Sequence, residues 1–178
     1  MSTMVNFPKY SHCTLLFVQQ ADKLLLGMKK RGFGVNLWNG FGGKVDLNET
    51  VRQAAIRETQ EECGITPIDP KFLGLLKFNM NLDQKTIIVH VFKSTEYTGN
   101  ITESEEMLPK WFDIDKINYD VMWPDDRIWY PDMLKTNVFF FGEYDFQEHS
   151  VITSSNHKIV KEEELLALQK QLSKIPLD

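Results

Sequence analysis

The segment that most constrains this chain runs from Glu49 to Gly64, "ETVRQAAIRETQEECG". Turned at roughly 100° per residue, Val51, Ala54 and Ala55 fall on one sector of a helix. Glu58, Glu61 and Glu62 continue that same sector. The spacing predicts a helix from about Glu49 to Cys63, with Asn48 as its N-cap and Gly64 as a left-handed terminator. One face of that helix is apolar in its first half and anionic in its second. A solvated acidic face lies opposite the apolar stripe, not in line with it.

Three carboxylates at i, i+3 and i+4 repel one another by about 0.2–0.5 kcal/mol per pair. Partial burial raises their pKa values unless a cation answers them. Arg57, four residues before Glu61, offsets one charge. The remaining excess suits a hard divalent ion with oxygen ligands, magnesium or manganese. Spacing alone serves a surface salt-bridge pattern equally well.

With 178 residues and 42% hydrophobic content, the chain can bury a sizeable core in one unit. A net charge of −5 gives no field for a nucleic-acid polymer, so small phosphorylated ligands at a local site remain. Cys13 and Cys63 make no disulfide framework, and His12, His90, His149 and His157 are scattered. There is no apolar run of membrane-spanning length and no signal-peptide core at the N-terminus. The expectation is a soluble, cytoplasmic monomer that needs no membrane partner, with nuclear and mitochondrial fractions left open.

Around the helix, "CTLLFVQQ" (13–20) and "KLLLGMK" (23–29) predict an antiparallel hairpin. Residues 31–46 are glycine-rich loop. "LGLLKFNM" (73–80) and "TIIVHVFK" (86–93) predict strands joined by "NLDQ", and "KWFDI" (110–114) another. Residues 119–136 begin as a loop, and 137–146 resemble a final strand pair. Val160, Leu165, Leu168 and Leu172 predict an amphipathic helix over about 160–174. Strands before and after an internal helix imply a mixed α/β layered domain.

Gly43, five residues, Glu49, seven residues, then "RETQEECGI" resembles the signature of the Nudix hydrolase family. Every fixed position matches through Ile65, and the one departure is Thr59, where the family prefers an aliphatic residue. Beyond it, "LLGMKKRGFG", "WNGFGGKV", "ESEEM", "WF" and "MWPDD" resemble the eukaryotic, MutT-like branch that hydrolyses oxidised purine nucleoside triphosphates. That similarity runs from about Thr14 to Tyr130.

The resemblance implies the Nudix fold, a mixed β-sheet in an α-β-α sandwich, over residues 1–148. Residues 149–178 then form a C-terminal extension packed on the same domain. It also implies Mg²⁺, or Mn²⁺, held by Glu58, Glu61, Glu62, Glu106 and the carbonyl of Gly42. Glu62 and Glu106 are the general-base candidates, and Glu58 completes the catalytic carboxylates mainly as a ligand. Lys44, beside Gly43, either meets phosphate or is a solvated lysine. By the same resemblance Trp123, followed by Pro124, stacks on a purine whose edge Asp125 and Asp126 read. Thr14 and Asn39 add polar contacts, and Lys29, Phe33, Phe41 and Phe78 wall the site. The implied substrates are 8-oxo-dGTP and 2-hydroxy-dATP, cut to monophosphate and pyrophosphate. Two rivals share the signature: a Nudix hydrolase of another nucleoside diphosphate derivative, and a catalytically silent nucleotide-binding module.

Overall fold

The computed structural model describes residues 10–148 and 150–178, so His149 and the N-terminal residues lie outside it. Its centre is a strand, β1 (Tyr10–Gln20), buried on both faces. Leu16 and Val18 point into one layer and Phe17 into the other, which is why this run is apolar without alternation. A turn at Ala21 and Asp22 returns the chain antiparallel as β2 (Lys23–Lys29), matching the predicted hairpin.

The mixed sheet has eight strands among the described residues. It is completed by β3 (Trp38–Asn39), β5 (Lys71–Met80), β6 (Lys85–Ser94), β8 (Met107–Asp113), β9 (Phe139–Gln147) and β10 (Val151–Val160). β1 and β6 run parallel, as do β5 and β9; the other neighbours are antiparallel. A small second sheet pairs β4 (Ile65–Ile68) with β7 (Glu96–Gly99). Helices α1 (Val51–Cys63) and α3 (Glu162–Leu172) cover one face, through Val51, Ala55 and Leu165. Helix α2 (Asp126–Met133) covers the other, through Trp129, Tyr130 and Met133. This is the expected α-β-α sandwich.

Three details differ from expectation. The α1 N-cap is Thr50, whose hydroxyl accepts the Gln53 N–H while the Gln53 side chain accepts the Thr50 N–H. That reciprocal pair wins over Asn48, which sits outside the helix at φ 69°. Residues 137–146 are not a strand pair; from Phe139 on they belong to the single strand β9, with Phe140 and Phe141 serving opposite core layers. Its partner is β10, in residues 151–160, whose mostly exposed polar side chains mask an edge strand. Among the described residues no helix is long and apolar enough to cross a membrane.

Candidate active site

Residues 40–44 lie extended against β1, with Phe41 exchanging both backbone hydrogen bonds with Leu16 and Gly43 O accepting the Thr14 N–H. Gly42, between them, therefore directs its backbone the other way. Its N–H donates to Glu62 Oε2 at 2.9 Å. Neither glycine can take a side chain without a neighbour giving way. A Cβ on Gly42 would stand 2.0 Å from Thr14 O, and one on Gly43 2.5 Å from Glu58 Oε1. Close passage of Gly42 against the β1 backbone and of Gly43 against Glu58 of α1 is thus the physical reason for "GG".

On α1, Glu62 is 4% exposed, Glu58 half-buried and Glu61 exposed. Burial pushes Glu62 up to about 7, against the opposing pull of the Gly42 N–H and Lys29. Burial also raises Glu58, opposed by Arg57. Arg57 organises the cluster. It holds Glu49 at 2.7 and 3.1 Å, Glu58 at 2.9 Å, Glu61 at 3.3 Å and the Lys44 carbonyl at 3.2 Å. Glu106 arrives from the loop before β8, and its hydrogen bond from Arg31 (2.6 Å) lowers its pKa. Lys29 Nζ stands between the two sources, 3.6 Å from Glu62 and 3.4 Å from Glu106.

Among the described residues no three carboxylates, imidazoles or thiols converge tightly enough to hold a metal ion. Lys29, Arg31 and Arg57 each occupy carboxylate oxygens in the cluster. The donor chemistry nevertheless fits a hard divalent ion, being all oxygen: Glu58, Glu61, Glu62, Glu106 and the Gly42 carbonyl.

Beside this cluster opens a cavity of about 260 Å³. Thr14, Lys29, Phe33, Asn39, Phe78, Ile87, Trp123, Asp125 and Asp126 line it. Lys29 belongs to its wall and to the carboxylate cluster, so the two form one cleft. Trp123 and Phe33 face each other with ring centres 4.8 Å apart. Asn39 Oδ1 accepts the Tyr130 hydroxyl (2.9 Å) and the Gly40 N–H (2.8 Å), which turns its amide nitrogen away as a donor. Asp125 accepts the Trp129 indole N–H at 2.8 Å, and Asp126 the Trp123 backbone N–H at 3.0 Å. Both aspartates are almost fully buried. Burial lifts Asp125 to about 6 and Asp126 well above the ordinary range, with the charge of Asp125 adding to the latter.

Not every expected residue reaches this wall. Phe41 is wholly buried in the layer beneath α1, and Pro124 spaces Trp123 from Asp125 without lining the cavity. The Lys44 side chain is exposed. Conversely, Leu37, Met80, Trp129 and Phe146 line the cavity, and Tyr130 orients Asn39. Trp129 and Tyr130, each four residues after one of the two aspartates, carried a legible helical signal; Leu37, Met80 and Phe146 come from distant strands and loops.

An α-β-α sandwich with a glycine loop over an acidic helix end defines a hydrolase class built to handle a phosphate chain. The NUDIX domain family matches residues 10–133. The chain is 47% identical over 152 residues to the oxidized purine nucleoside triphosphate hydrolase of Danio rerio, covering 85% of this chain and 96% of that one. Identity to the Mus musculus protein of the same name is 43% over 141 residues, 79% of this chain and 90% of the other. The fold is also that of a MutT protein from Bacillus halodurans, with TM-score 0.75, 24% identity and coverage of 83% and 97%. The chain belongs to the Nudix family of hydrolases.

Proposed function

We propose that this chain hydrolyses oxidised purine nucleoside triphosphates, 8-oxo-dGTP and 2-hydroxy-dATP among them, to the monophosphate and pyrophosphate. In this reading it sanitises the nucleotide pool as a cytoplasmic monomer, within a hydrolase domain of residues 1–148 extended by 149–178. The supporting observation is the buried Asp125–Asp126 dyad in a cleft shared with the carboxylates of α1.

Glu58, Glu61, Glu62, Glu106 and the Gly42 carbonyl would hold Mg²⁺ or Mn²⁺. When bound, such an ion neutralises phosphate oxygens and lowers the pKa of water. Arg57 orients Glu58 and Glu61 from outside the cleft. Glu62, raised to about 7, is suited to accept a proton at neutral pH, and Glu106 is the alternative base. Lys29 offers positive charge where sugar and phosphate meet. Trp123 stacks on the purine, and the Asn39 amide and Thr14 hydroxyl bond its edge.

Two buried neighbouring carboxyls cannot both ionise readily, so the dyad retains a proton near neutrality. Placed on either member, that proton presents donor or acceptor as the base requires. An oxidised guanine and an oxidised adenine are thereby both accepted. Asp125→Asn and Asp126→Asn should each shift the preference between the two, and unchanged preference would reject this role.

Pyrophosphate release with Mg²⁺, measured over oxidised, methylated and normal purine triphosphates with Glu62→Gln as control, tests the whole reading. Selective turnover of modified purines is expected. Preferential turnover of capped RNA or dinucleotides would overturn it.

A further inference from the structure

α1 takes part of its N-terminal cap from the far end of the chain. The first N–H groups of a helix have no partner within it. Thr50 serves the Gln53 N–H through its hydroxyl and the Ala54 N–H through its carbonyl. Val51 and Arg52 instead donate to the carbonyls of Pro176 (2.9 Å) and Leu177 (3.0 Å). The Arg52 guanidinium adds hydrogen bonds to Asp178 and to the Pro70 carbonyl. Ile175 and Leu177 pack on the core layer that contains Val51 and Leu165. Gln169, buried on α3, donates to the Ile175 carbonyl at 3.0 Å, and the Ile175 N–H is received by Ser173 Oγ at 3.1 Å. Residues 173–178 are therefore tied to α3, to the core and to the first turn of α1.

We infer that residues 173–178 form a strap that positions α1 for binding the divalent ion, with Pro176 and Leu177 as positioning residues. This rests on the proposed function, because the placement of α1 matters to catalysis only through its carboxylates. A physical link runs from strap to ligands. Glu49, immediately before the strapped turn, holds Arg57 through two nitrogens, and Arg57 holds Glu58 and Glu61. The start of the helix and its acidic end are thus joined outside the helix backbone as well as along it. Asp125, Asp126 and Trp123, by contrast, belong to the α2 side of the sheet. Loosening the strap reaches the carboxylates and spares the base pocket.

That asymmetry supplies the test. A variant ending at Lys174 and the full-length Leu177→Asp variant are compared with the unaltered chain. Hydrogen exchange at the Val51 and Arg52 amides reports the cap. Electron paramagnetic resonance titration with Mn²⁺ alone reports the ligands, and binding of 8-oxo-dGMP without metal reports the base pocket. Free exchange at both amides is expected, with Mn²⁺ affinity weakened about tenfold, the lower end for groups that orient ligands from outside the coordination shell. kcat should fall with it, while nucleotide affinity stays within about twofold and circular dichroism is unchanged. Undiminished Mn²⁺ affinity once the amides exchange freely would overturn the strap. Equal loss of Mn²⁺ and nucleotide binding would overturn it too, reducing the segment to general stability. Should the shortened chain fail to fold, Leu177→Asp carries the comparison, because it removes the apolar anchor and retains both carbonyls. An unaltered chain that binds no Mn²⁺ and cleaves no modified triphosphate would instead reject the proposed function.

Discussion

A single methyl group at Gly43 measures how closely the Glu58 carboxylate must be placed. A Cβ there stands 2.5 Å from Oε1, 2.6 Å from Cδ and 2.7 Å from Oε2 of Glu58. Ordinary contact begins at 3.4 Å, so the carboxyl must retreat by 3.4 less 2.5, about 0.9 Å. It is the far end of a flexible side chain, and the strand need not move. The retreat costs the 2.9 Å bond from Arg57, a partly exposed charged hydrogen bond contributing about 1–2 kcal/mol. For a chain of this size that lowers the melting temperature by about 2–8 °C. A displacement near 1 Å at a reacting centre lowers the rate about 100-fold. Gly43→Ala should therefore remain folded and lose about two decades of kcat/KM for 8-oxo-dGTP, measured as pyrophosphate release beside a thermal melt. Activity within about threefold of the unaltered enzyme would refute the reasoning. Gly42→Ala is the contrast, since its Cβ meets the Thr14 carbonyl oxygen at 2.0 Å and its carbon at 2.6 Å. Those atoms are backbone of the central strand, so this variant should lose the fold and not merely the site.

Tyr130→Phe removes the hydroxyl that orients Asn39. KM should rise about fivefold to tenfold at constant kcat, and a fall in kcat alone would place Asn39 elsewhere in the reaction. Burial raises both Asp125 and Asp126, so the folded chain keeps protons that the unfolded chain releases above about pH 4. Their stabilisation is complete below that pH and is lost, for Asp125, as pH rises through about 6. The melting temperature should fall across this window, and Asp125→Asn should flatten the fall; an identical profile in the variant would assign it to other groups. Thr59 is fully buried with its hydroxyl on the Ala55 carbonyl, so Thr59→Val should keep activity and raise the melting temperature by about 2–4 °C. A loss of several degrees would show that the hydroxyl is needed.

Patterns in consecutive residues were legible because local geometry enforces them. The hairpin of β1 and β2, the body of α1 and the left-handed Gly64 cap (φ 78°) follow from apolar runs, a two-residue turn and helical spacing. Thr50 as N-cap was legible too, since Thr50 and Gln53 stand at capping-box spacing; Asn48 concealed it. β10 was not legible. An edge strand has one covered side and an open rim, so "VITSSNHK" resembles a polar tail until β9 lies beside it. Phe41 shows the same limit within the site. The loop alternates direction residue by residue, so Gly42 meets Glu62 while the Phe41 side chain enters the core.

Sequence by itself determined the chemistry available: three glutamates on one helical sector, two glycines ahead of them, and an aromatic followed by two acids. Spacing along a single element fixes which groups share a face, and that information is local. Only the tertiary structure decided which distant groups meet. Lys29 stands between Glu62 and Glu106, Tyr130 turns Asn39, and Pro176 and Leu177 cap α1. Each of these contacts joins residues dozens of positions apart, and its geometry is set by how the sheet packs between its helices.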